Sequence, residues 1–264
     1  MQHNDAGKVD SLWTYPIKGF TPISHDQAEV QAGKGLSGDR LFGFAKGNSG
    51  FDPLNPKPLP KDHFLVLMEH AKIAGLQTAF DPVTYQFQVN NDGQVLLDIN
   101  LQTQDGQSKA SKFFTEYLEL NEAEAPFFAN AEPHRFTDVS VVSDTFMNAV
   151  SILNLASVRD FEKQTSLVVD PMRFRANIIV DGLLPFQEFE LINKTIKLGD
   201  VTFKVLMRTK RCAATEVNPT TAERDIKLPG LLRQTYGHFD MGVYAQIVSN
   251  GTIKVGSPIS VQPD

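Results

Sequence analysis

The chain has 264 residues, enough for one large or two modest domains with a sizeable core. Its 25 basic and 31 acidic residues leave a formal net charge of −6, so it offers no general field for polyphosphate and nucleic acid is excluded as an expected partner. A single cysteine excludes an internal disulfide, Met1 to Asp10 is too polar for a signal peptide, and no apolar run is long enough for a bilayer, which together point to a cytoplasmic protein without membrane contact.

The first third reads as strands and turns. Lys8 to Thr14 alternates and leads into Tyr15-Pro16-Ile17-Lys18-Gly19. Gln27 to Gln31 and Leu41 to Ala45 are short strands, and Gly47 to Pro60 is a loop dense in Gly, Pro and Asn. Phe64 to Met68 is an apolar strand-like run, and Ala71 to Phe80 predicts a short helix stopped by Asp81-Pro82. Thr84 to Val89 and Gln94 to Leu101 flank Asn90-Asn91-Asp92-Gly93, a hairpin signal. Ser111 to Leu118 has helical spacing. The acidic, Pro-containing stretch from Asn121 to Pro133 marks a boundary, giving an N-terminal region over 1–125 and a second over 126–264. In the second half, Ser151 to Glu162 predicts a helix and Ala176 to Val180 a strand. Thr195 to Leu198 and Val201 to Met207 form a hairpin pair, and Leu228 to Tyr236 a helix. Val243 to Val248 and Thr252 to Val255 flank Asn250-Gly251 as a further hairpin. Many short strands with few helices predict a mainly β, α+β chain of barrel-like β-structure.

Gly33-Lys34-Gly35-Leu36-Ser37-Gly38 matches a dinucleotide fingerprint, but the strand-like Asp39 to Phe44 follows where a helix is required. It reads as a tight turn delivering Arg40. His63 and His70 lack a third ligand for zinc. Cys212 ends the run Met207-Arg208-Thr209-Lys210-Arg211-Cys212. Neighbouring cations favour thiolate, which is both a nucleophile and a soft-metal ligand; a small buried hydrophobe is the competing role. In an extended run, Arg208, Lys210 and Cys212 point to one side. Lys18, Arg40, Arg173 and Arg175, with Asn177, add cations and an amide suited to a phosphate and a polar heterocycle if they converge.

Tyr15-Pro16-Ile17-Lys18, Gly38-Asp39-Arg40, Arg173-Phe174-Arg175-Ala176-Asn177-Ile178, Arg211-Cys212-Ala213-Ala214-Thr215-Glu216-Val217-Asn218-Pro219 and Gly251-Thr252-Ile253-Lys254-Val255-Gly256 occur in that order. The series resembles MOSC-domain proteins, and within them the amidoxime-reducing components, over nearly the whole chain. The resemblance implies an N-terminal MOSC-type β-barrel region followed by a β-barrel MOSC domain with a few packed helices. It implies a molybdenum cofactor (molybdopterin) between the two, with Cys212 as the thiolate ligand to the metal. Lys18, Arg40 and Arg175 match cationic positions for phosphate and pterin, Asn177 and Thr145 match polar ones, and Asp144 matches an acidic one near the metal. Lys210 and Arg211, directly before the ligand, fall among the cofactor-binding positions. As a family label only, pyridoxal phosphate binding also attaches to the resemblance.

Three positions depart from the family pattern. Gly19 replaces a small hydroxyl residue, Lys210 a small residue, and Asn218 an Asp. The activity implied is reduction of a small N-hydroxylated substrate. No four-cysteine iron–sulfur module is present, so a separate electron-transfer protein is implied. The alternatives are a cofactor or sulfur carrier using Cys212 persulfide, and a non-catalytic binding domain.

Overall fold

The structure, a computed structural model, describes residues 7–262. Alternation sets its first strand, β1 (Lys8–Thr14), which buries Val9, Leu12 and Thr14 and turns Lys8 and Asp10 outward. The next elements are β2 (Ile23–His25), β3 (Gln27–Val30), β4 (Phe42–Ala45), β5 (Gln77–Phe80), β6 (Gln86–Asn91) and β7 (Gln94–Asn100). Helix α1 (Gln104–Tyr117) follows, its N-terminus capped by Thr103, whose side chain accepts from the Gly106 amide. Then come β8 (Phe127–Asn130), α2 (Asp144–Met147), β9 (Val150–Asn154), α3 (Leu155–Thr165), β10 (Ile178–Asp181), β11 (Thr195–Leu198) and β12 (Val201–Lys210). The chain closes with α4 (Leu228–Tyr236), β13 (Asp240–Ile247), β14 (Gly251–Lys254) and β15 (Ile259–Val261).

The fold is mainly β, as expected. An eight-stranded sheet runs β15-β11-β12-β13-β9-β10-β1-β2, antiparallel except where β9 and β10 pair in parallel. It therefore draws β1 and β2 from the first region and its other strands from the second. β5, β6 and β7 form a three-stranded sheet, while β4 pairs with β8 and β14 with β3. The Asp92-Gly93 turn forms as predicted, both residues taking positive φ (48° and 78°) between β6 and β7. No helix among the described residues is long and apolar enough to cross a membrane.

Four local expectations are corrected. Ser151 to Asn154, expected as the start of a helix, belongs to strand β9 (Val150–Asn154): all five of its residues are buried between β10 and β13, so the run has no polar face and no period to read. The helix starts after it, where the Asn154 side chain accepts from Ala156 N. Ala71–Gly75 is a single 3-10 turn, and Gln77–Phe80 then pairs with β6 instead of continuing as helix. Phe64–Met68 is core filling, not a strand; Phe64 makes one isolated bridge to Ala45. The Asn250-Gly251 hairpin does not form, because β14 pairs with β3 and the Asn250 side chain accepts from Ala32 N.

Four hydrophobic clusters pack the described residues, and two of them are the largest. One lies along the eight-stranded sheet and includes Leu12, Ile152, Ile178, Phe203 and Val243. The other is aromatic: Phe20, Phe42, Phe44, Phe87 and Phe114 are all 3% exposed or less. Phe44 and Phe114 lie 4.7 Å apart between ring centroids, and Phe20 and Phe114 5.3 Å. Truncating Phe44, which is fully buried, removes both transfer energy and ring contacts. We expect Phe44→Ala to cost about 3–5 kcal/mol in urea unfolding, against under about 2 kcal/mol for Phe113→Ala, whose ring is only partly buried.

Candidate cofactor site

Several segments that are far apart in sequence meet at one cleft of about 860 Å³, counted out to its open mouth. The end of β12 brings Thr209, Lys210, Arg211 and Cys212. The turn before β10 brings Arg173, Arg175 and Asn177, and the segments after β1 bring Lys18 and Arg40. Lys18, Arg40, Arg175, Asn177, Lys210, Arg211 and Cys212 thus line the same space. Asp144 and Thr145 do not. They are exposed on the one-turn helix α2, outside the lining of the cleft.

Each cation is placed by backbone geometry. Arg40 and Arg175 both take the left-handed conformation, with φ of 52° and 50°. For a non-glycine residue this costs about 1–2 kcal/mol, and such residues gather at functional sites. Their guanidinium carbons sit 4.5 and 4.2 Å from the centroid of the buried Tyr15 ring. Arg40 donates to Asp39 (2.6 Å) and to the Arg175 carbonyl (3.0 Å). Arg175 donates to the Phe20 carbonyl (2.8 Å), and Arg211 gives its nitrogens to the Met241 and Phe174 carbonyls. No carboxylate pairs with Arg175 or Arg211 among the described residues. Desolvation consequently lowers Arg175 to about 10 and lowers Arg211 as well.

The sequence reading missed two groups. Lys61, in a 3-10 turn (Lys61–His63) just past the Pro-rich loop, places Nζ 3.2 Å from Cys212 Sγ. Asp138 accepts from Lys18 Nζ at 2.5 Å and lies 3.6 Å from Lys61 Nζ. Lys18 is 4% exposed, and burial lowers its pKa against the pull of Asp138. For Asp138, burial would raise the pKa, but Lys18 and Lys61 together hold it well below the usual carboxylate range. Neither group lay in a periodic or motif-bearing stretch, so neither offered a local signal.

Three expectations change in detail. Arg208 does not share the Cys212 side: a register irregularity between Arg208 and Lys210 turns it onto the Phe189 ring (4.3 Å), with Asp240 at 4.0 Å. Asn177 lines the cleft, but its amide is committed elsewhere. Its oxygen accepts from Ser151 N and Oγ, and its nitrogen donates to the Trp13 carbonyl. Gly19 is required by the backbone, since φ is +88° and an added Cβ would lie 2.6 Å from the Leu65 carbonyl. A hydroxyl residue does not fit there without movement.

Charge and unused donors define what the cleft can hold. Lys18, Arg40, Lys61, Arg173, Arg175, Lys210 and Arg211 line it, against the single carboxylate Asp138. Thr209 Oγ1 is buried there without a hydrogen-bond partner. No cluster of three or more His, Cys, Asp or Glu exists among the described residues. A metal bound at Cys212 must therefore bring most of its own ligands, and an anionic organic carrier suits the surrounding cations.

The Lys18–Asp138 contact has a testable pH signature. The folded pKa of Asp138 is depressed, so its contribution is present above the unfolded carboxylate pKa near 4 and is lost as pH falls toward the folded value. Because 47% of the Asp138 side chain is exposed, solvent discounts the penalty for stranding Lys18. We expect Asp138→Asn to cost about 1–2 kcal/mol at pH 7, with the gap from wild type closing below about pH 4 in chemical denaturation.

Comparison with known proteins agrees with this architecture. Residues 132–260 match the MOSC domain and residues 6–130 the MOSC N-terminal beta barrel domain. Mitochondrial amidoxime reducing component 2 of Bos taurus is 25% identical over 96% of this chain and 83% of that protein. Molybdenum cofactor sulfurase of Caenorhabditis briggsae is 26% identical over 85% of this chain and 31% of that protein. Among solved structures, the YUAD protein of Bacillus subtilis aligns over 97% of this chain and 95% of its own, at 13% identity and a TM-score of 0.45. Two consecutive matches account for nearly every described residue, and the chain belongs to the family that joins a MOSC N-terminal beta barrel domain to a MOSC domain.

Proposed function

We propose that the cleft binds a phosphorylated pterin cofactor carrying molybdenum, with Cys212 as the protein's thiolate ligand. We further propose that the protein reduces small N-hydroxylated compounds with electrons from a separate protein. The observation that supports this most is a lone thiol opening into a cleft with seven cations and one carboxylate. Relatives named for amidoxime reduction and for the molybdenum cofactor support the same reading. When bound, the cofactor supplies two-electron oxygen-atom chemistry. Arg40 and Arg175 bind its anionic tail and pterin edge, and Thr209 offers a free hydroxyl. Lys210, exposed and with its ammonium 5.5 Å from the Phe239 ring, adds positive charge to the lining. Lys61 holds the thiol side of the cleft cationic, and Asp138 anchors both lysines. Asp144 and Thr145 have no part in this arrangement.

A carrier role is the second reading. It is favoured by one contact: Cys212 is partly exposed, with Lys61 Nζ 3.2 Å from its sulfur, an arrangement suited to an anionic persulfide. Reduction of benzamidoxime to benzamidine with an artificial electron donor supports the reductase. Bound molybdenum without that activity supports the carrier.

Two outcomes test the site. In protein produced with the cofactor available, Cys212→Ala should lose molybdenum while its circular dichroism is unchanged; unchanged metal in a folded variant removes Cys212 as ligand. Arg175→Ala should lower cofactor affinity about ten- to a hundredfold, the effect of losing a charge-assisted hydrogen bond. Its cofactor-free melting temperature should stay close to wild type. Arg40→Ala should lower both affinity and melting temperature, because Arg40 also ties Asp39 to the Arg175 carbonyl.

A further inference from the structure

A second cavity of about 580 Å³, open solvent at its mouth included, adjoins the first cleft. Gly19, Leu67, Arg173, Arg175 and Ala214 line both spaces, so the two arginines belong to the wall they share. The rest of the second cavity is different in kind. Phe20, Ile73, Ala74, Leu76, Met172 and Val217 make it mainly apolar beside Thr21 and Gln77, and no acid, no lysine and no cysteine lines it.

The arginines in this wall are incompletely satisfied. Arg173 is 5% exposed; it donates Nη1 to the Glu216 carbonyl and Nη2 to Asp225, but Nε is buried with no acceptor. The Arg175 side chain makes one hydrogen bond, to the Phe20 carbonyl, and has no carboxylate partner among the described residues. Arg175, a buried guanidinium without a counter-ion, carries a desolvation cost that an anion in this cavity would offset. The apolar lining rejects a multiply charged or strongly hydrated anion, for which the first cleft is the better host.

We propose that this second cavity is a binding site for a small monocarboxylate with an apolar body, of the size of benzoate or a short branched acid. The carboxylate faces the Arg173–Arg175 wall and the apolar body packs between the 3-10 turn Ala71–Gly75 and the Ala214–Pro219 segment. Because Arg175 lies in the wall that the two spaces share, the site is tested on the cofactor-free protein.

The experiment is titration of the cofactor-free, full-length protein with sodium benzoate, followed by amide chemical shifts. Saturable shifts are expected at Ile73, Leu76 and Val217. Benzamide, which has nearly the same shape but no charge, should bind at least about tenfold more weakly. Ala74→Phe should abolish the shifts by filling the cavity; should that variant not fold, Ala74→Leu should weaken them. The proposal is overturned if no saturable binding occurs, if benzamide binds as well as benzoate, or if binding survives the filling substitution. It is also overturned if the shifts centre on Lys18 and Cys212, which places the anion in the first cleft.

Discussion

Positive charge gathered out of water, with few negative groups to balance it, is the constraint around which this structure is arranged. The cleft cations are held mainly by backbone carbonyls: Met241 and Phe174 for Arg211, Phe20 for Arg175, Arg175 itself for Arg40, and Phe136 for Lys18. Carbonyl dipoles orient a guanidinium without cancelling its charge. The unbalanced charge remains available to a ligand, and burial lowers the pKa of Arg175, Arg211 and Lys18 by disfavouring their charged forms. The left-handed backbone at Arg40 and Arg175 belongs to the same arrangement. A fold optimised only for stability has no reason to place two strained arginines around one tyrosine ring.

The same residues serve the core and the site. Asn177 ties β9 through Ser151, β1 through Trp13 and the Arg40 side chain (3.4 Å), so one buried amide joins two cleft-lining segments to the first strand. Its hydrogen bonds go to protein, and its effect on a ligand is exerted through the groups it positions. Gly19 is comparable. Read against the family pattern it looks like a lost hydroxyl, while in the structure it lets the chain pass within contact distance of Leu65.

How far the sequence could be read depended on whether each signal was local. Lys8–Thr14 and the Asp92-Gly93 hairpin were legible because alternation and positive-φ turn residues act within a few positions. Val150–Asn154 was not, because a strand buried on both faces has no polar phase. Arg40, Arg175 and Cys212 could be singled out one at a time, but their convergence is a property of strand order, which no local pattern encodes. Lys61 and Asp138 had neither motif nor period. Arg208 failed as a site residue because the irregularity between Arg208 and Lys210 in β12 changes which side a residue faces, and such irregularities leave no mark in residue type.

The inclusion of β1 in the main sheet bears on how the chain is made. The Asn177 amide and the Trp13 carbonyl that it reaches lie 164 residues apart in the chain. At ordinary rates of synthesis, the first strand leaves the ribosome on the order of ten seconds before its β10 partner exists. During that interval its apolar face, with Val9 and Leu12, has only the short β2 beside it. Contacts at such separation form late, so sheet closure and assembly of the cleft are one event near the end of folding. Nascent chains of this protein are consequently expected to need shielding by a holding chaperone until residues past Asp181 have emerged.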